Sequence, residues 1–208
     1  MARLEFFFDC GSPWTYLAFH RIESLAAETG AELVWRPILV GGVFNAANGS
    51  VYEQRERPVP AKMRYFAKDL QDWARLYGIT IRWPDVFPVN SVRAMRGAFV
   101  ALDAGKLPAY ARAVFEAYWG RGEDIGQEAV LWEIAAEVGL DPTEFCARIA
   151  SPAVKERLRS DTDELVRRGG FGSPTMFVDG SDMYFGNDRL PLVREALRRA
   201  RASEGERG

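Results

Sequence analysis

The sequence predicts an α/β protein in which a βαβ unit and a ββα unit are separated by a large all-helical insertion. Three observations carry this expectation. An apolar strand-like run, Leu4–Phe8, leads through a turn into an amphipathic helix. A helical pattern then runs without a convincing strand from Ala61 to about Gly170. Two short apolar runs joined at Asp179-Gly180 precede a last amphipathic stretch.

Taken in order, Cys10-Gly11-Ser12-Pro13 supplies the first turn and the helix start. Trp14, Leu17, Ala18, Ile22, Leu25 and Ala26 recur at three- and four-residue spacing and form one apolar stripe, while Glu23 and Glu28 lie outside it. Gly30 ends this helix. Leu33–Trp35 reads as a second buried strand, parallel to the first through a right-handed crossover. The stretch Gly41–Pro60, rich in Gly, Asn and Arg, is expected as an irregular connection. Helices are expected near 61–77, 91–104, 108–119, 127–138, 142–149 and 152–168. Strands follow at Thr175–Val178 and Met183–Phe185, and Leu190, Val193, Leu197 and Ala200 mark the final helix, with Arg198, Arg199 and Arg201 suited to its C-terminal dipole. This order is that of a thioredoxin-like fold interrupted in its middle. Residues 1–60 and 170–202 would form a discontinuous thioredoxin-like domain, 61–169 a helical insertion lying as a lid over the active face, and 203–208 a frayed end.

Composition narrows the function. With 208 residues and 48% hydrophobic content, the chain can bury a full core. Its 27 basic and 29 acidic residues give a net charge of −2, so no single-sign field recruits nucleic acid or an anionic membrane. The apolar start is too short for a signal or membrane segment, and a cytoplasmic location is expected. Cys10 and Cys146 make no C-x-x-C or metal-ligand spacing. Cys10 is expected to be buried and inert, and His20, the one histidine and off the apolar stripe, to lie at the surface.

Ser12-Pro13-Trp14-Thr15 stands where redox proteins of this fold carry C-x-x-C. Hydroxyls replace both thiols, which excludes disulfide exchange by this segment. A hydroxyl at a helix N-terminus can donate to a thiolate brought by another molecule, where the unpaired N–H groups also favour an anion. Ser12 with Pro13 also reads as an ordinary helix cap. Pro174, directly before a strand, occupies the place where this fold carries a cis-proline, and Ser173 would then present its backbone to an extended peptide such as glutathione; a trans proline opening an edge strand is the other reading. Asp188 can cap the last helix or pair with an amine, Lys62 can be solvated or face a ligand, and Asn90 can cap a helix or reach substrate. Trp14 fits either the core or a pocket wall.

The segments FFFDCGSPWTYLA, WRPILVGGVFNA, FPVNSVRAMRG and GGFGSPTMFVDGSDMYFGNDRL resemble the 2-hydroxychromene-2-carboxylate isomerase family, which is similar to kappa-class glutathione transferases and DsbA-like oxidoreductases, over about residues 4–200. The resemblance implies a homodimeric, glutathione-dependent isomerase of small aromatic acids. Ser12 would hold the glutathione thiolate, Ser173 and Pro174 the cysteinyl part, and Asn187 with Asp188 the γ-glutamyl end, with Asn48 also at the cofactor. Relatives commonly carry a lysine where this chain has Asn45, and a Gly-Asn pair where it has Asn48-Gly49. Asn45, Lys62, Asn90 and Trp14 are the substrate candidates, with Arg55 and Arg57 as further cations, and Trp73, Trp83 and Phe87 could shield the substrate ring. A kappa-like conjugating transferase and a non-catalytic thiol-peptide binder are the alternatives.

Overall fold

The structure is a computed structural model that describes residues 1–205. Its centre is a four-stranded sheet in the order β2-β1-β3-β4, built from β1 (Arg3–Phe8), β2 (Glu32–Pro37), β3 (Thr175–Val178) and β4 (Asp182–Phe185). β1 runs parallel to β2 and antiparallel to β3, and β3 pairs antiparallel with β4. Helices cover both faces of β1, which is why it reads as an unbroken apolar run. Leu4, Phe6 and Phe8 enter the main core, and Phe7 packs on the other face with Ile38, Val43, Leu165 and Phe177. The two-residue alternation of a strand divides them.

α1 (Pro13–Thr29) follows β1, starts at the N-cap Ser12 and stops at left-handed Gly30. Arg201 of the final helix, α10 (Leu190–Gly205), donates to the Thr29 carbonyl at the end of α1. The helical insertion comprises α4 (Pro60–Tyr77), α5 (Val92–Asp103), α6 (Leu107–Phe115), a π-turn at Glu116–Gly120, α7 (Glu128–Glu137), α8 (Pro142–Ala150) and α9 (Pro152–Arg167). One continuous apolar cluster joins Phe6 and Phe8 of the sheet to Phe99, Tyr110, Phe115 and Trp119 of the insertion, so the two expected parts share a core.

Two expectations are corrected. The connection at 41–60 is not irregular: it contains α2 (Val40–Ala47) and α3 (Ser50–Glu56). Local propensity is poor, but tertiary anchors hold α2 in place. The Val40 N–H is bound by buried Asp9 and the Leu39 N–H by Thr162 of α9. A Cβ at Gly42 would lie 3.1 Å from Thr162 Cγ2, so glycine permits the approach of α2 to α9. The backbone is also helical through Gly205, past the expected onset of fraying at Ser203, and 206–208 lie outside the described residues.

Opposite the main core, Glu5 is buried between Arg36 at 3.3 Å and Arg168 at 2.6 Å. Arg36 continues to Asp161 at 3.0 Å and to Glu164, and both guanidiniums lie over the Phe7 ring. This network fastens the end of the insertion to the sheet.

Candidate active site

The turn between β1 and α1 places Ser12 at the positive end of a 17-residue helix. Its Oγ accepts the Thr15 N–H at 3.3 Å, as an N-cap does, and donates to the Ser173 carbonyl, also at 3.3 Å. The Ser173-Pro174 peptide bond is cis. Ser173 Oγ accepts the Asp9 N–H at 3.1 Å and lies 2.7 Å from Thr15 Oγ1. Two segments 161 residues apart therefore meet at one point. Ser173 and Thr15 are buried, whereas Ser12 remains partly exposed, so the Ser12 hydroxyl is the one of the three that an incoming ligand can reach.

Asp9 organises this point. Its carboxylate accepts the Gly11 N–H at 2.8 Å, the Val40 N–H at 2.8 Å and the Ser91 hydroxyl at 3.0 Å, joining the turn before α1 to the starts of α2 and α5. Burial holds its carboxyl above the usual range, opposed by these hydrogen bonds. Beside it, Cys10 is buried and its thiol is pushed well up by burial and by the neighbouring Asp9, so it is a protonated, packed side chain and not a nucleophile.

The DSBA-like thioredoxin domain family matches residues 3–198. Over 198 residues, 94% of each protein, the chain is 35% identical to a 2-hydroxychromene-2-carboxylate isomerase of Pseudomonas putida. The chain belongs to the 2-hydroxychromene-2-carboxylate isomerase family. A solved 2-hydroxychromene-2-carboxylate isomerase superposes with a TM-score of 0.82 at 31% identity, covering 99% of both chains. A glutathione S-transferase kappa 2 of Caenorhabditis elegans is 28% identical over 93% of this chain and 91% of its own.

The other candidates of this isomerase-family chain divide into two groups. Asn48 closes α2, and its amide donates to the Phe171 carbonyl at 3.2 Å, which ties it to the segment bearing Ser173 and Pro174. Asn187 opens a 3₁₀ turn, Asn187–Arg189, that packs against α1. It is buried, and its side-chain nitrogen has no partner among the described residues. Asp188 is exposed and pairs with Arg189 at 3.3 Å; it makes no capping hydrogen bond to the final helix. Trp14 is half-buried against the main core.

The second group has no hydrogen bond to the Ser12 cluster. Asn45 is exposed and accepts the Tyr52 hydroxyl at 2.7 Å. Asn90 is exposed, and its side-chain oxygen accepts the Val92 N–H at 3.2 Å in a local turn one residue ahead of Ser91, the N-cap of α5. Lys62 stands exposed in the first turn of α4, with no hydrogen bond or ion pair to a described residue. His20 is not a free surface residue: it is half-buried and stacked on Tyr77. Eight positions along α1 from Ser12, roughly 12 Å of helix rise, it cannot serve that hydroxyl as a base. Sequence reasoning missed Asp9, and it marked Thr15 as the second hydroxyl of the motif without its contact to Ser173. An acidic residue closing the run Phe6-Phe7-Phe8 was the available signal for Asp9.

Proposed function

We propose that the chain is a glutathione-dependent isomerase of 2-hydroxychromene-2-carboxylate-type aromatic acids. The observation that carries this is the Ser12 hydroxyl at the start of α1, facing the Ser173 carbonyl before a cis-proline. The donors fit a γ-glutamyl-cysteinyl peptide. Ser12 and the helix terminus favour a sulfur anion, the Ser173 backbone can pair with an extended cysteinyl unit, and the orphaned Asn187 amide, with Asp188 beside it, offers groups for an amino acid end.

Glutathione held there would supply a thiolate for reversible addition to a conjugated carbon, with opening of the oxygen ring and rotation about the former double bond before the thiol is expelled, so that none is consumed. Ser12 holds that anion by turning its hydroxyl from the Ser173 carbonyl to the sulfur. Thr15 and Asp9 keep Ser173 in register while this happens. Neither Cys10 nor His20 has a part. The family resemblance implies a homodimer, and the exposed Val59, Met63 and Phe66, spaced along one face at the start of α4, support an interface there.

The test is isomerisation of 2-hydroxychromene-2-carboxylate with glutathione assayed before and after. The expected result is turnover with an unchanged glutathione titre. Removing one donor to a catalytic anion costs about 100- to 1000-fold, so Ser12→Ala should lose activity on that scale and keep the fold. Stoichiometric loss of glutathione would instead favour a conjugating transferase, and full activity in Ser12→Ala would remove Ser12 from the mechanism.

A further inference from the structure

Arg55 of α3 sits among three aromatic rings drawn from separate elements. Its guanidinium lies 5.4 Å from the Phe87 centroid in the loop before α5, 5.8 Å from Phe44 of α2 and 6.0 Å from Tyr52 of α3. Of the other arginines over rings, Arg36, Arg112, Arg157 and Arg168 each hold a carboxylate of the chain, and Arg21 lies over a single ring, that of Tyr77, where Arg55 meets three. Arg55 forms no ion pair with a described residue, and it is exposed. Rings on several sides hold its planar fork without satisfying its charge.

Two chains of contact link this cation to the Ser12 turn. Phe87 packs 6.2 Å from Trp119, whose indole N–H donates to the Cys10 carbonyl at 2.9 Å, and a Cβ built on Gly11 would lie 3.6 Å from Val89 Cγ1 in the same loop. On the other side, α2 bears Phe44 and is anchored at Val40 by Asp9. Asn45, next to Phe44, is already occupied by the Tyr52 hydroxyl and carries no charge.

We infer that Arg55, with the rings of Phe44, Tyr52 and Phe87, forms the subsite that selects planar conjugated carboxylates. A flat ring stacks against the aromatic side chains, and the carboxylate takes the two parallel N–H bonds of the guanidinium. A solvated ammonium such as Lys62, without rings around it, lacks that shape. This subsite deepens the isomerase reading and rests on it for the position of the reacting carbon, but not for the binding preference.

The test compares 2-naphthoate with 2-naphthamide, equal in shape and unequal in charge, binding to the glutathione-saturated protein by titration calorimetry. Wild type should bind the acid about ten- to a hundredfold more tightly, the range of a charge-assisted hydrogen bond. Arg55→Gln should abolish that preference while keeping the amide and glutathione affinities, and Arg55→Lys should restore part of it. Because α3 has no buried residue, these variants should keep the wild-type circular dichroism. No preference in wild type, or an undiminished one in Arg55→Gln, overturns the subsite. A preference lost with Arg55 in a protein that does not isomerise the chromene acid upholds the subsite and overturns the isomerase reading.

Discussion

At the scale of single residues, the proposed function asks Ser12 to serve two states. Its oxygen caps α1 and its proton rests on the Ser173 carbonyl, so a ligand sulfur need only replace that carbonyl as acceptor. Ser12 and Ser173 are legible in the sequence because strand, turn and helix, and a proline before a strand, are local patterns. Asp9 is not, because its partners Val40 and Ser91 are distant in sequence and become neighbours only in the fold. Asp188 was open to two readings, and the structure leaves its carboxylate exposed rather than capping. His20 carries a separate prediction. Burial first, then Arg112 and Arg21, lowers its pKa below the ordinary 6.5. The folded state then binds fewer protons than the unfolded chain at mildly acidic pH. Its contribution to stability is whole above about 6.5 and is lost as pH falls through the lowered value. Urea unfolding across that range should show wild type losing more stability than His20→Gln; parallel curves would refute this.

At the scale of elements, the insertion helices are legible because each repeats its apolar positions near 3.6 residues and many start with proline. α2 and α3 are not, since glycine and asparagine hide a helix held by Asp9 and Thr162. The attachment of α9 to the sheet was likewise hidden, because Glu5 within an apolar strand finds its arginines only in three dimensions. Removing one partner from a buried ion pair typically costs about 3–5 kcal/mol. Arg36 and Arg168 are partly exposed and keep other carboxylates, so Glu5→Gln should lose about 2–3 kcal/mol. Urea melts at neutral pH measure this, and a loss near zero would mean that the network does not hold α9.

At the scale of the whole molecule, one apolar cluster runs through sheet and insertion. Far-ultraviolet circular dichroism and tryptophan fluorescence should therefore report one coincident unfolding transition; two separated transitions would mean that the insertion folds by itself. Sedimentation equilibrium should give a dimer that Phe66→Glu dissociates, and a monomeric wild type would refute the α4 interface. The fold's largest consequence is to bring Ser12 and the Ser173-Pro174 peptide together, at the point where the proposed function needs a sulfur. The direct measurement is ultraviolet titration of the thiol of bound glutathione in wild type and in Ser12→Ala. A hydrogen bond to a charged group is worth about 1.5–3 kcal/mol, or roughly one to two pH units. The bound thiol should ionise below free glutathione in wild type and move upward by that amount in Ser12→Ala; the same titration in both proteins would contradict the assignment of Ser12.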